Sequence, residues 1–125
     1  MERIQSHKDL KVYQLSYDLA MEIFDISKNF LKEERYALTS QIRNSSRSVA
    51  ANLAEAFRKR RYKKAFIAKL SDSEAEGAET QTWLDFSRDC KYINPETCEN
   101  LNQKYEHVIG MIVNMIHNPE KWTIG

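Results

Sequence analysis

Apolar residues recur every three or four positions along nearly the whole chain, a spacing that leaves little room for anything but helices packed on helices. A first stripe, Val12, Leu15, Leu19, Ile23, Ile26 and Phe30, predicts a helix from about Asp9 to Phe30, with Tyr13, Tyr17, Ala20 and Phe24 forming a second stripe beside it. Lys32-Glu33-Glu34-Arg35 breaks the pattern and reads as a turn. Leu38, Ile42, Val49, Leu53 and Phe57 predict a second helix from about Tyr36 to Phe57. Its middle carries Ser45, Ser46, Ser48, Ala50, Ala51, Ala54 and Ala56, small side chains that let a neighbouring backbone come close.

A third helix is predicted from about Tyr62 to Tyr92, with Phe66, Leu70, Ser73, Gly77, Thr80, Leu84 and Ser87 facing inward. Asn94 is a good N-cap, Pro95 suits the first helical position and Glu96 favours a helix start. They open a fourth helix over 95–117, through Leu101, Tyr105, Val108, Ile112 and Met115, with Ile109 and Ile116 alongside, ended by Asn118-Pro119. Four helices joined by short turns predict an all-α, up-down-up-down antiparallel four-helix bundle, one domain over residues 1–125.

Composition agrees. Three glycines and two prolines in 125 residues are too few for the turns of a β-sandwich or for a glycine-rich phosphate loop. No apolar run approaches a membrane span, and Met1-Glu2-Arg3-Ile4-Gln5-Ser6 has no apolar signal core, so a cytoplasmic protein with no membrane partner is expected. Cys90 and Cys98 then read as reduced thiols that pack near a helix turn.

Catalytic patterns are missing. A di-iron bundle needs Glu-x-x-His pairs, but Ile4, Lys104 and Asn114 stand three residues before His7, His107 and His117. Neither a nucleophile elbow nor a Walker loop, dinucleotide fingerprint or Cys-x-x-Cys occurs. The expectation is a protein that is not an enzyme and holds no metal or cofactor.

Charge is distributed unevenly. Residues 41–69 hold nine cations against one acid, Glu55, whereas residues 70–106 hold three cations against nine acids. Six of the seven residues from Arg58 to Lys64 are cations: Arg58, Lys59, Arg60, Arg61, Lys63 and Lys64, with Tyr62 among them. Arg43 and Arg47, four apart, project from one side of the second helix. This set suits a phosphate backbone, with Tyr62 placed to stack on an exposed base. It equally suits a solvated corner that offsets a helix dipole, or a contact with Asp72, Glu74, Glu76 and Glu79 of a neighbouring subunit. Asn52 with Glu55, and Glu76 with Glu79, each lie three apart and form candidate polar core groups. If Glu55 or Glu79 points inward it needs a partner such as Asn52, Gln41, Arg43 or Thr80. Such a network would fix helix register or a subunit contact, with a ligand site as the alternative.

Several motifs resemble one family. His7-Lys8-Asp9-Leu10-Lys11-Val12-Tyr13-Gln14, the run from Leu38 to Glu55, Glu76-Gly77-Ala78-Glu79-Thr80-Gln81-Thr82-Trp83-Leu84 and the later Tyr92-Ile93 are similar to the 23S rRNA intervening sequence proteins, or S23-like bundles. The resemblance spans about residues 7 to 117. Ala50 and Ala56 depart from the proline and glycine frequent in that family, which predicts a straighter second helix. The resemblance implies a role with RNA and a homopentameric ring. One branch of relatives serves diversity-generating retroelements, which implies a reverse transcriptase as a protein partner and contact with RNA or DNA. The wide face of the first helix, with Tyr13, Tyr17 and Phe24, together with Trp83, favours self-association.

Overall fold

The computed structural model describes residues 4–124; Met1–Arg3, part of the segment weighed above as a signal, and Gly125 lie outside it. Its elements are α1 (Lys11–Ser27), α2 (Leu38–Arg58), α3 (Lys63–Asp89) and α4 (Pro95–His117), with single 3-10 turns at His7–Asp9, Lys32–Glu34 and Pro119–Lys121. Sequential helices pack on one another and α1 closes against α4, giving an antiparallel four-helix bundle.

The inward stripes follow the apolar spacing. On α3 the buried residues are Phe66, Leu70, Ser73, Gly77, Thr80, Leu84 and Ser87, the predicted set. Burying each large aliphatic or aromatic side chain of this core contributes about 1.5–3 kcal/mol. Where the stripes turn small, polar hydroxyls lock the helices instead. Ser73 Oγ donates 2.8 Å to the Val49 carbonyl, and Thr80 Oγ1 lies 2.9 Å from Ser45 Oγ. Both contacts need α2 and α3 backbones close together, which the serines and alanines of α2 permit. Gly77 does the same toward α4: a Cβ there would stand 3.0 Å from Ile109 Cγ1.

Helix ends differ from the periodicity by a few residues. Ser6 caps the His7–Asp9 turn, accepting from Lys8 N at 3.0 Å while the Asp9 carboxylate accepts from Ser6 N at 3.1 Å. That turn delays α1 to Lys11. At its other end α1 stops at Ser27, and Phe30 is buried from a turn, stacked on Tyr92 at 5.1 Å between ring centres. Tyr92 also lies beyond its helix. Lys91 adopts a left-handed backbone (φ 67°), and the Tyr92 N–H bonds back to the Ser87 carbonyl at 2.9 Å. The Tyr92 hydroxyl donates 2.9 Å to Glu34, a bond that pushes its pKa up to about 12. Asn94 caps α4 as expected, accepting from Thr97 N at 2.7 Å. α2 runs unbroken past Ala50 and Ala56.

Among the described residues no helix is long and apolar enough to cross a membrane, and no cluster of three or more His, Cys, Asp or Glu is placed to hold a metal.

Candidate functional site

The α2–α3 turn sets the candidate site. Arg58 is the last residue of α2, and Tyr62 caps α3 from extended backbone (φ −118°, ψ 97°). Between them Lys59 N bonds to the Ala56 carbonyl and Tyr62 N to the Lys59 carbonyl, both at 2.9 Å. The turn therefore has a fixed course. Two segments far away in sequence brace it. The N-terminal turn packs on α2 and places His7 across a hollow shared with Arg58, Lys59 and Tyr62, and Ile124 N donates 3.1 Å to the Arg60 carbonyl.

This architecture sorts the predicted cations. Arg60 lies against the bundle: its guanidinium stacks 3.6 Å from the Phe57 ring centre and its Nε donates 2.9 Å to the Phe57 carbonyl. Burial and the charge of Arg58 both lower its pKa. Lys63 pairs with Glu120 at 2.9 Å. Arg58, Lys59, Arg61 and Lys64 are exposed and form no ion pair with an acid among the described residues. Tyr62, 68% exposed, stands in their midst.

Arg43 and Arg47 are not brought to this corner. They cover the α1 ring of Phe24, their guanidinium carbons 4.8 and 5.8 Å from its centre, with Lys28 Nζ at 4.8 Å. Arg43 Nε also donates 2.8 Å to Ser27 Oγ. Eleven residues separate Arg47 from Arg58, about 16 Å along the helix at 1.5 Å per residue. The two form a second basic patch on the same side of α2.

The expected polar core of Asn52, Glu55, Glu76 and Glu79 is corrected. Glu55 is exposed and pairs with Lys69 at 2.6 Å, and Glu79 is exposed as well. Asn52 is half-buried and donates 2.9 Å to its own helix, at the Ser48 carbonyl. Carboxylates stay out because the interior offers them no cation, whereas hydroxyls are satisfied there by carbonyls and by one another. Glu76 is the intermediate case. Half-buried, it has its pKa raised by burial first, then by the Glu79 and Asp72 charges. A carboxyl with a raised folded-state pKa binds its proton more tightly folded than unfolded, so stability falls as pH rises through its titration. Glu76→Gln is expected to raise stability slightly at pH 7, by less than about 1 kcal/mol at this partly exposed position, and not in mild acid. Thermal melts at the two pH values measure this.

Cys98 is buried and its thiol lies 3.5 Å from the Leu84 carbonyl, while burial pushes its pKa up. Such a thiol is a packing group. Cys90 is exposed, contrary to the packing role expected for both. Of the aromatics expected on the surface, Tyr17 is exposed, and Tyr13, Phe24 and Trp83 are half-buried under neighbours.

A larger hollow, about 690 Å³, lies elsewhere, between α1 and α4. Glu22, Asp25, Glu96 and Glu99 line it, so its charge is opposite in sign to that of the basic corner. Sequence reasoning missed the two segments that brace the corner. The Ser6-x-x-Asp9 capping pattern was a readable signal for the first.

Comparison with known proteins bears on this arrangement. Residues 8–114 match the family model described as 23S rRNA-intervening sequence protein. A crystal structure from Bacteroides thetaiotaomicron VPI-5482, described as a protein with unknown function from the S23 ribosomal protein family, is similar to this chain. It is 27% identical, with a TM-score of 0.76 over 85% of this chain and 95% of that one. No curated protein matches the chain.

Proposed function

The chain belongs to the 23S rRNA-intervening sequence protein family, and from that premise we propose that it is a non-enzymatic, RNA-associated bundle that binds the phosphate backbone through its basic end. One observation carries the reading: Arg58, Lys59, Arg61 and Lys64 are exposed on a braced turn, without acidic partners among the described residues. Four uncompensated cations held together repel one another, and a polyanion relieves that repulsion by releasing its counterions. Binding of this kind reads charge spacing more than sequence. The two thiols, both free, suit a reducing cytoplasmic setting.

The test is a titration of a structured RNA at several salt concentrations, with the mass of the protein recorded in the same samples. The expected result is an affinity that falls linearly in log–log form, with a slope near −0.7 to −0.9 for each phosphate engaged. No binding at low salt overturns the reading.

A second reading rests on Asp72, Glu76 and Glu79. They lie at helical spacing along α3, and only Asp72 approaches a cation, Lys69 at 4.0 Å. In a homo-oligomer, the ring of five suggested by resemblance included, the basic end of one copy would meet this face of the next. Oligomers that dissociate with salt, without RNA affinity, are what this reading expects. A protein partner such as a reverse transcriptase would engage the same charges.

A further inference from the structure

We propose that the hollow beside Tyr62 holds an unpaired base, so that the basic end prefers single-stranded RNA to duplex; this rests on the RNA reading above and adds the class of strand. Tyr62 caps α3 from extended backbone, and its side chain makes no capping hydrogen bond. The residue is 68% exposed. Packing does not account for an aromatic in that position.

Beside the ring is an open hollow of about 520 Å³, bounded by His7, Ala54, Glu55, Arg58, Lys59 and Tyr62. Its chemistry fits a nucleotide with its base turned in. The Tyr62 ring offers a stacking face, Ala54 leaves space, and Arg58 and Lys59 stand within reach of the phosphates on either side. Glu55, the one acid in the wall, is neutralised by Lys69 at 2.6 Å. The N-terminal turn contributes His7, so the hollow exists only in the folded chain.

A duplex cannot use this feature, since its base faces are stacked on one another. Charge alone works the other way, because a duplex packs more phosphates per unit length than a single strand and neutralising each of them releases more counterion. A preference for the single strand therefore has the opposite sign from simple electrostatics. Stacking on one aromatic contributes about 5- to 150-fold in affinity.

The experiment compares a fluorescein-labelled oligouridylate dodecamer with an RNA duplex of the same length by anisotropy, at about 0.1 M salt. The wild-type chain is expected to bind the single strand more tightly. Tyr62→Ala is expected to lose about 5- to 150-fold on the single strand and less than about twofold on the duplex, while Tyr62→Phe and Tyr62→Trp retain single-strand binding. Helix content by circular dichroism should not change, because the side chain is exposed. If Tyr62→Ala leaves single-strand affinity within about twofold while loss of the four free cations abolishes it, the base-stacking inference is overturned and the phosphate reading stands. If the wild-type chain prefers the duplex, stacking is likewise overturned. If it binds neither RNA, both readings fall.

Discussion

Replacing Arg58, Lys59, Arg61 and Lys64 together by alanine is expected to lower the salt slope of RNA binding by about 3, at roughly 0.7 per phosphate contact on a single strand. Electrostatic binding fades as salt approaches 1 M, so a slope difference of about 3 over one decade of salt means a loss of about 10²- to 10³-fold near 0.1 M. The loss should appear on every RNA tested, since phosphates carry no sequence information. Arg60→Ala provides the contrast. Its guanidinium is committed to the Phe57 ring and carbonyl, so its loss is expected in the melting temperature more than in the slope. Charge composition treats all six cations of the block alike; the structure divides them into four that face solvent and two that hold the corner together. A quadruple variant with an unchanged slope removes the corner as the RNA site. A variant that binds RNA normally but falls in mass points instead to contacts between copies.

Much of the fold was legible because helical spacing reports burial directly. The inward faces of α2, α3 and α4 follow from the recurrence of apolar and small residues, and Asn94-Pro95 announces the start of α4. Phe30 and Tyr92 were misassigned to helices for a physical reason. Phe30 is buried in register with the stripe of α1, and Tyr92 packs half-buried against it, yet both come from turns, and periodicity cannot tell a packed turn residue from a helical one. The candidate site was only half legible. A run of cations announces itself, but which of them is free depends on side-chain contacts that charge composition does not report: Lys63 on Glu120, fifty-seven residues away, and Arg60 folded back on Phe57 of its own turn. Arg43 and Arg47 illustrate the converse. Spacing placed them correctly on one side of α2, and only the neighbouring helix, through Phe24 and Ser27, shows that they form a patch of their own. The carboxylates misled for a third reason. Three-residue spacing shows that Asn52 and Glu55 share a face, but the direction of that face is set by packing.

Phe66→Ala is expected to destabilise the fold by about 3–5 kcal/mol, the cost of removing a large aromatic from a closed core. Phe66 is 1% exposed and sits one turn into α3, where its N–H bonds to the Tyr62 carbonyl at 2.9 Å. Truncation opens a void in the core near the corner, and α2 and α4, on which α3 packs, cannot close it without moving as helices. Domains of this size have about 5–15 kcal/mol in total, so the variant approaches the limit of folding. Urea titration followed by circular dichroism gives the measure: the midpoint falls while the slope with denaturant stays the same if the whole bundle still unfolds together. RNA affinity at low temperature, with the folded fraction restored, separates support of the corner from recognition. The four free cations remain present, so the salt slope is expected to stay near the wild-type value. A folded Phe66→Ala chain with a much reduced slope would show instead that the core holds the cations in a geometry the phosphates require. A loss below about 1 kcal/mol would mean that the bundle closes around the void, and that the corner is braced by Arg60 and the chain termini rather than by the core.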